Sequence, residues 1–233
     1  MKGKHQKRNT VQNTPMNPDI KFQVTEAYKA ARTNLAFTVL KQGCKKIVFT
    51  SSISREGKST SAVNIAISLS QQINVKVLLI DSDLRKPKIN SFFNLENVPG
   101  LTNYLGNMCG LTDVIQSTEI PNLSVICGGV IVPNPSELLA SEAMENLLHT
   151  SENDYDYIIL DTSPINIVID ALTLVRITDG VVIVVKEGFS THRELAKTIE
   201  TLGRVNAKIL GIILNGTKIE SKDNSTYHYE CYE

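Results

Sequence analysis

Between residues 45 and 215 short apolar runs alternate with segments of helical period. The runs are KIVFT, VKVLLID, LSVIC, YDYIILD, GVVIVV and KILGIILN. Each is continuously apolar rather than alternating, which predicts strands buried on both faces, as in a parallel sheet covered by helices. The segment KSTSAVNIAISLSQQ places Ala62, Ile65, Ala66 and Leu69 on one helical face. Upstream, VTEAYKAARTNLAFTVLKQG carries Val24, Ala27, Tyr28, Ala31 and Leu35 at the same spacing, with Gly43 able to end the helix before the first strand. The pattern predicts a doubly wound α/β fold with a mostly parallel sheet and helices on both faces.

The flanks break this pattern. Residues 1–20 are polar, basic at the start and interrupted by Pro15 and Pro18, which predicts a flexible arm, either a solvated tail or a weak membrane-surface contact. Residues 21–216 form the predicted domain. Residues 217–233 return to polar composition with no period and predict a tail without fixed structure, yet one rich in tyrosine.

Composition removes several function classes. Lys plus Arg and Asp plus Glu both number 24, so no global field draws the chain to nucleic acid. Cys44, Cys109, Cys127 and Cys231 are far apart and form no CxxC pair, arguing for a reducing compartment over a disulfide frame or a zinc site. No apolar run reaches 18 residues, so a cytoplasmic protein that does not itself span a membrane is expected.

Chemistry enters at SSISREGKST. Gly57, Lys58 and Ser59 match the end of the phosphate-loop pattern G-x-x-x-x-G-K-[ST], while Ser52 stands where the first glycine belongs. A strand runs into the loop and a helix follows it. Backbone N–H groups and the helix N-terminus then point at one place, where an anion gains hydrogen bonds and dipole stabilisation. Lys58 is placed to reach the β- and γ-phosphates of ATP, and Ser59 to ligate Mg²⁺. Two strands end in hard oxygen ligands: VKVLLIDSD in Asp81 and Asp83, and YDYIILD in Asp161. Carboxylates closing apolar strands are costly to bury unless paired or metal-bound, so three converging opposite one phosphate loop point to a metal-nucleotide site.

The loop SREGKST, the segment LLIDSDLRKP, the segment YIILDTSP, the stretch PNPSELLASEAMENLL and the terminal tyrosines resemble, in content and order, the bacterial protein-tyrosine kinases of capsule and exopolysaccharide systems. The first three segments correspond to the family's Walker A, Walker A′ and Walker B elements, a deviant P-loop NTPase type, and the likeness runs from about residue 22 to the C-terminus. The resemblance implies that Ser54, Arg55, Glu56, Gly57, Lys58, Ser59 and Thr60 hold ATP, and that Ser59, Asp81 and Asp161 hold Mg²⁺. It further implies that Lys58, Asp81 and Asp83 act in catalysis, with Asp81 or Asp83 taking the tyrosine proton and Asp81 favoured. Asn215 matches an adenine contact of related ATPases; turn chemistry explains it equally. Arg85 and Lys86 sit close by, as aids to phosphate or acceptor binding or as solvated charges.

Tyr227, Tyr229 and Tyr232 resemble the terminal clusters that family members autophosphorylate. Glu26, Lys29 and Arg32 match a family pattern that packs subunits into a ring, with lysine in place of the middle arginine; an intrahelical Glu26–Lys29 pair is the local alternative. Arg55 stands where many relatives have glycine. A positive φ there costs arginine on the order of 1–2 kcal/mol; otherwise the loop takes another path, or Arg55 adds a cation at the phosphates. By the same resemblance the partners are a membrane adaptor of the polysaccharide co-polymerase type, further copies of the chain and a phosphotyrosine phosphatase, and the kinase sits at the inner face of the membrane through its adaptor. The rival readings are a partition- or positioning-type ATPase switch, against which Ile53 occupies the place of that class's extra lysine, and a nucleotide-gated regulatory subunit.

Overall fold

The computed structural model describes residues 18–217, so residues 1–17 and the tail tyrosines Tyr227, Tyr229 and Tyr232 lie outside the described residues, while residues 18–20, expected in the arm, belong to a helix. In chain order the elements are α1 (Pro18–Thr38), β1 (Lys45–Ser51), α2 (Lys58–Ser70), β2 (Val77–Asp81), α3 (Ile89–Phe93), α4 (Leu101–Leu105), α5 (Leu111–Val114) and β3 (Ile115–Ser117). There follow β4 (Leu123–Ile126), α6 (Pro135–Leu139), α7 (Glu142–Ser151), β5 (Tyr157–Asp161), α8 (Asp170–Val175), β6 (Gly180–Lys186), α9 (His192–Arg204) and β7 (Ile209–Asn215).

All six apolar runs are strands of one sheet, ordered β3-β4-β2-β5-β1-β6-β7. Pairing is parallel throughout except for β3, which runs antiparallel to β4 at one edge. Alternation along each central strand divides the core in two. Leu78, Ile80, Ile158 and Leu160 pack beneath the helices that follow β2, β4 and β5. Val77, Leu79, Ile159, Ile47 and Phe49 pack against α1 and α2. Such two-sided burial is why these strands lack a polar face.

Two expectations shift, and one strand has no counterpart in the sequence pattern. The first helix starts at Pro18 rather than Val24 and stops at Thr38, with Gly43 (φ 76°) turning the chain into β1 instead of capping the helix. Proline suits a first helical position, where its missing N–H has no intrahelical partner to lose. The KILGIILN run is an edge strand, leaving Ile212 and Leu214 about half exposed, so it is not buried on both faces. The short β3, with its mixed Ile-Gln-Ser composition, carries too little periodicity to be read from the sequence.

The order β2-β5-β1 places the ends of these three strands side by side. Asp81 and Asp161 are register partners on β2 and β5, and Asp161 neighbours Phe49 of β1. The loop leaving β1 therefore opens beside both acidic strand ends, at the carboxyl edge where open α/β sheets bind ligands.

Candidate active site

The loop between β1 and α2 is held by its own chain. Ser52, in the first-glycine place, is fully buried, and its hydroxyl accepts a hydrogen bond from Thr198 of α9 (2.8 Å). A capping box between Thr191 and Glu194 fixes the start of α9. A serine is thus accommodated because its side chain turns into the core, away from the cleft. The Glu56 carboxylate accepts from the Ile53 N–H (2.7 Å) and from the Ser190 hydroxyl, and is fully buried. Among the expected nucleotide contacts, Glu56 therefore contributes backbone at most; its carboxylate braces the loop.

Asn215 supplies a second brace. Its Nδ2 donates to the Glu56 carbonyl (2.9 Å) and its Oδ1 accepts from the Gly216 N–H. Gly57, the residue before α2, has φ 89°, and a Cβ there would lie 1.9 Å from Asn215 Nδ2. Both the left-handed backbone and the close approach demand glycine. Asn215, read as an adenine contact or a turn residue, here spends its amide on the loop. Arg55 has φ 71°, the left-handed backbone that costs arginine, and its side chain is exposed at the cleft.

The cleft above this loop has a volume of about 480 Å³, and Ser54, Arg55, Gly57, Lys58, Ser59, Thr60 and Asp83 are among its walls. Lys58 points inward. Its Nζ lies 2.7 Å from Asp161 Oδ1, 3.4 Å from Asp83 Oδ2 and 3.3 Å from Ser59 Oγ. Burial works against the ammonium, but the Asp161 and Asp83 charges outweigh it and hold Lys58 charged.

The two carboxylates of DSD differ. Asp81 is 0% exposed and does not reach the cleft; its Oδ2 accepts the N–H groups of Lys88 (2.7 Å) and Ile89 (2.8 Å). The strand ends at Asp81, and a turn closed by the Lys86 N–H on the Asp83 carbonyl breaks the alternation that would have kept the two side chains together. Asp83 comes to the cleft wall, where its Oδ1 accepts from Ser163 Oγ (2.7 Å). The reading of Asp81 as favoured base meets a group with no access to the cleft.

Burial, then the Asp161 charge, pushes the Asp81 carboxyl up to about 7. Burial also raises Asp161, against the pull of Lys58. Lys58 meets Asp161 directly at 2.7 Å and does not bond Asp81, so Asp161 has its counter-charge in contact while Asp81 is held by backbone N–H groups.

Hard-cation chemistry fits this corner. Asp161 is 1% exposed, and its Oδ2 has no hydrogen-bond partner, an arrangement that is costly unless a ligand completes it. Asp161 and the Ser59 hydroxyl fit Mg²⁺, which takes one or two carboxylates plus phosphate oxygens, whereas Asp81, expected as a third metal ligand, is buried away from the cleft. Two neighbours escaped the sequence reading. Ser163 lies within YIILDTSP but had no assigned role, and Asp170, which holds Arg85, follows β5 at a distance with no motif to mark it.

Of the residues read as a ring contact, Glu26 and Lys29 pair within α1 (2.8 Å), and Arg32 Nη1 donates to the Ser68 carbonyl near the end of α2 (2.8 Å). All three have partners inside one chain. No helix among the described residues is long and apolar enough to cross a membrane.

Residues 44–212 match the family model described as an AAA domain. The chain is 37% identical to the tyrosine-protein kinase YwqD of Bacillus subtilis over 227 residues, covering 97% of this chain and 94% of that one. Among solved structures, the kinase domain of the Escherichia coli tyrosine kinase ETK superposes with a TM-score of 0.81 at 32% identity, covering 88% of this chain and 80% of that one. The chimerical protein CapA2B2 does so with a TM-score of 0.78 at 38% identity, covering 88% and 87%. With a phosphate loop braced from β7 and α9, a buried lysine between two acidic strand ends, and these likenesses across nearly its whole length, the chain belongs to the bacterial tyrosine-protein kinases.

Proposed function

We propose that the chain uses MgATP to phosphorylate Tyr227, Tyr229 and Tyr232, each copy acting on the tail of another within an oligomer, and so regulates capsular or exopolysaccharide synthesis and export. The observation that carries this reading is the Lys58 ammonium held between Asp161 and Asp83 at the floor of the cleft. When bound, MgATP supplies the phosphoryl group and neutralises charge on it. The loop backbone of residues 54–60 cradles phosphate, Lys58 contributes a fixed cation, and Ser59 with Asp161 holds the metal. Phosphoryl transfer asks mainly for such alignment and charge stabilisation.

Asp83 is the base in this reading, because it reaches the cleft and Asp81 does not. The tyrosine oxygen bonds to the γ-phosphorus as the bond to the ADP oxygen breaks, and the phenolic proton passes to Asp83. Ser163 orients that carboxylate. Asp81 shapes the segment after β2 through its bonds to Lys88 and Ile89.

A membrane adaptor of the co-polymerase type activates the kinase and holds it at the inner face of the membrane, Glu26, Lys29 and Arg32 contribute to the ring, and a phosphotyrosine phosphatase reverses the modification. The test is incubation with Mg²⁺ and ATP, with and without the adaptor's cytoplasmic segment, followed by mapping of phosphate. Phosphate on the tail tyrosines, increased by the adaptor, is the expected result; release of free phosphate with no modified tyrosine under either condition would overturn it.

A further inference from the structure

The outer half of the cleft has a different character from its floor. Beyond Asp83, the segment after β2 carries Arg85, Lys86 and Lys88 along one wall, and all three are exposed. On a chain with equal numbers of acidic and basic residues, this is a local concentration of positive charge. Asp83 is the only other charged residue on that stretch of wall, and it is already engaged by Lys58 and Ser163. Lys86 and Lys88 make no ion pair among the described residues.

Arg85 is not a loose surface charge. Its Nε and Nη2 donate to the two oxygens of Asp170 at 2.7 and 3.1 Å, and Asp170 is fully buried and also accepts from Ser136. A two-pronged contact to a buried carboxylate fixes the plane of the guanidinium while leaving its remaining N–H groups for a ligand. Beside these cations, Phe92 (44% exposed) and Ile167 (57% exposed) also line the cleft. Large apolar side chains left open next to a basic wall match a ligand with an aromatic body and acidic neighbours.

The chain itself contains such a segment. Glu230 directly follows Tyr229, and Glu233 directly follows Tyr232. We propose that this outer rim is the acceptor-docking surface and that it selects tyrosines followed by glutamate. Arg85, Lys86 and Lys88 read the carboxylate, and Phe92 with Ile167 takes the acceptor ring. The occupant is the tail of a second copy, and other protein substrates share its Tyr-Glu chemistry. The inference rests on the kinase reading above, and its test separates the two.

The kinase for the test is the full chain carrying Tyr227→Phe, Tyr229→Phe and Tyr232→Phe, which removes competing acceptors. The probes are three peptides copying residues 223–233 with Tyr229 as the sole tyrosine and with Glu, Gln or Lys at positions 230 and 233. Peptide binding is followed by fluorescence anisotropy with MgADP present, and transfer is followed as KM and kcat separately. The Glu peptide should bind about tenfold more tightly than the Gln peptide at low salt, with the difference in KM and fading as salt rises. In the Lys86→Glu/Lys88→Glu variant the preference should invert toward the Lys peptide, with MgADP affinity by calorimetry changed less than twofold. A structural role for these lysines would not produce that inversion. Equal binding of the three peptides, or no inversion in the variant, overturns the docking surface. If the wild-type chain modifies no tyrosine in the mapping experiment, the kinase reading falls and the inference falls with it.

Discussion

The floor of the cleft and the outer edge at α1 and β7 are built in opposite ways. Lys58 and Asp161 at the floor, and Asp81 beneath it, are buried among strand ends, and Asp81 and Lys58 are held by several partners each. At the edge, Ile212 and Leu214 of β7 and Phe22 and Phe37 of α1 are apolar and exposed, beside a groove of about 550 Å³ lined mainly by the two elements. A buried charge cannot be removed without stranding its partner, so stability and chemistry are linked at the floor. An exposed leucine has water as its alternative already, so the edge tolerates change.

The largest expected effect is that of Lys58→Met. Tyrosine phosphorylation should fall below detection, and the nucleotide-free protein should lose about 3–5 kcal/mol by urea denaturation, because Asp161 is left buried without its counter-charge. Adding Asp161→Asn should restore most of that stability and none of the transfer. A single variant as stable as wild type would mean that the ion pair at the floor contributes nothing, and the contrast with the edge would fail.

Asp81→Asn sharpens the contrast through pH. The folded carboxyl is raised to about 7 from an ordinary value near 4, so the folded protein binds the proton more tightly than the unfolded chain. Its contribution is fully present below pH 4 and is lost as pH rises to 7, on the order of 4 kcal/mol in all. Nucleotide-free wild type should therefore lose stability across that window. The Asn variant should show a flatter profile and be the more stable protein at pH 8. Asp83→Asn, by comparison, should lower transfer by roughly 10²–10⁴-fold.

Smaller effects probe the loop and then the edge. Arg55→Gly relieves the left-handed backbone and should raise the melting temperature, corresponding to about 1 kcal/mol. Ile212→Thr on β7 should shift stability by less than about 0.5 kcal/mol. A destabilisation of Ile212→Thr comparable to that of Lys58→Met would show the edge to be part of the core in solution.

The six strands and the α2 face were legible because each is a local pattern with a strong physical cause: two-sided burial for the runs, a 3.6-residue period for Ala62, Ile65, Ala66 and Leu69. The loop was legible despite Ser52, since Gly57 and Lys58 carry its geometry and charge. Asp170 and Ser190 were not, because each acts through a partner more than eighty residues away in the chain, Arg85 for one and Glu56 for the other.

Sequence by itself determined six of the seven strands, where the phosphate-loop pattern stands and which carboxylates end the neighbouring strands. Those properties depend on hydrophobic period and residue type within a few positions. Tertiary structure alone decided that β7 lies at an edge, since a continuous apolar run reads the same whether one neighbouring strand or two lies beside it. It also gave Asp81 and Asp83 different surroundings. Two aspartates one residue apart are equivalent as chemistry, and only the turn after β2 seats one under backbone N–H groups and brings the other to the cleft. Burial is a property of the whole packed molecule, and it separates the carboxylate closed off beneath backbone N–H groups from the one that lines the cleft.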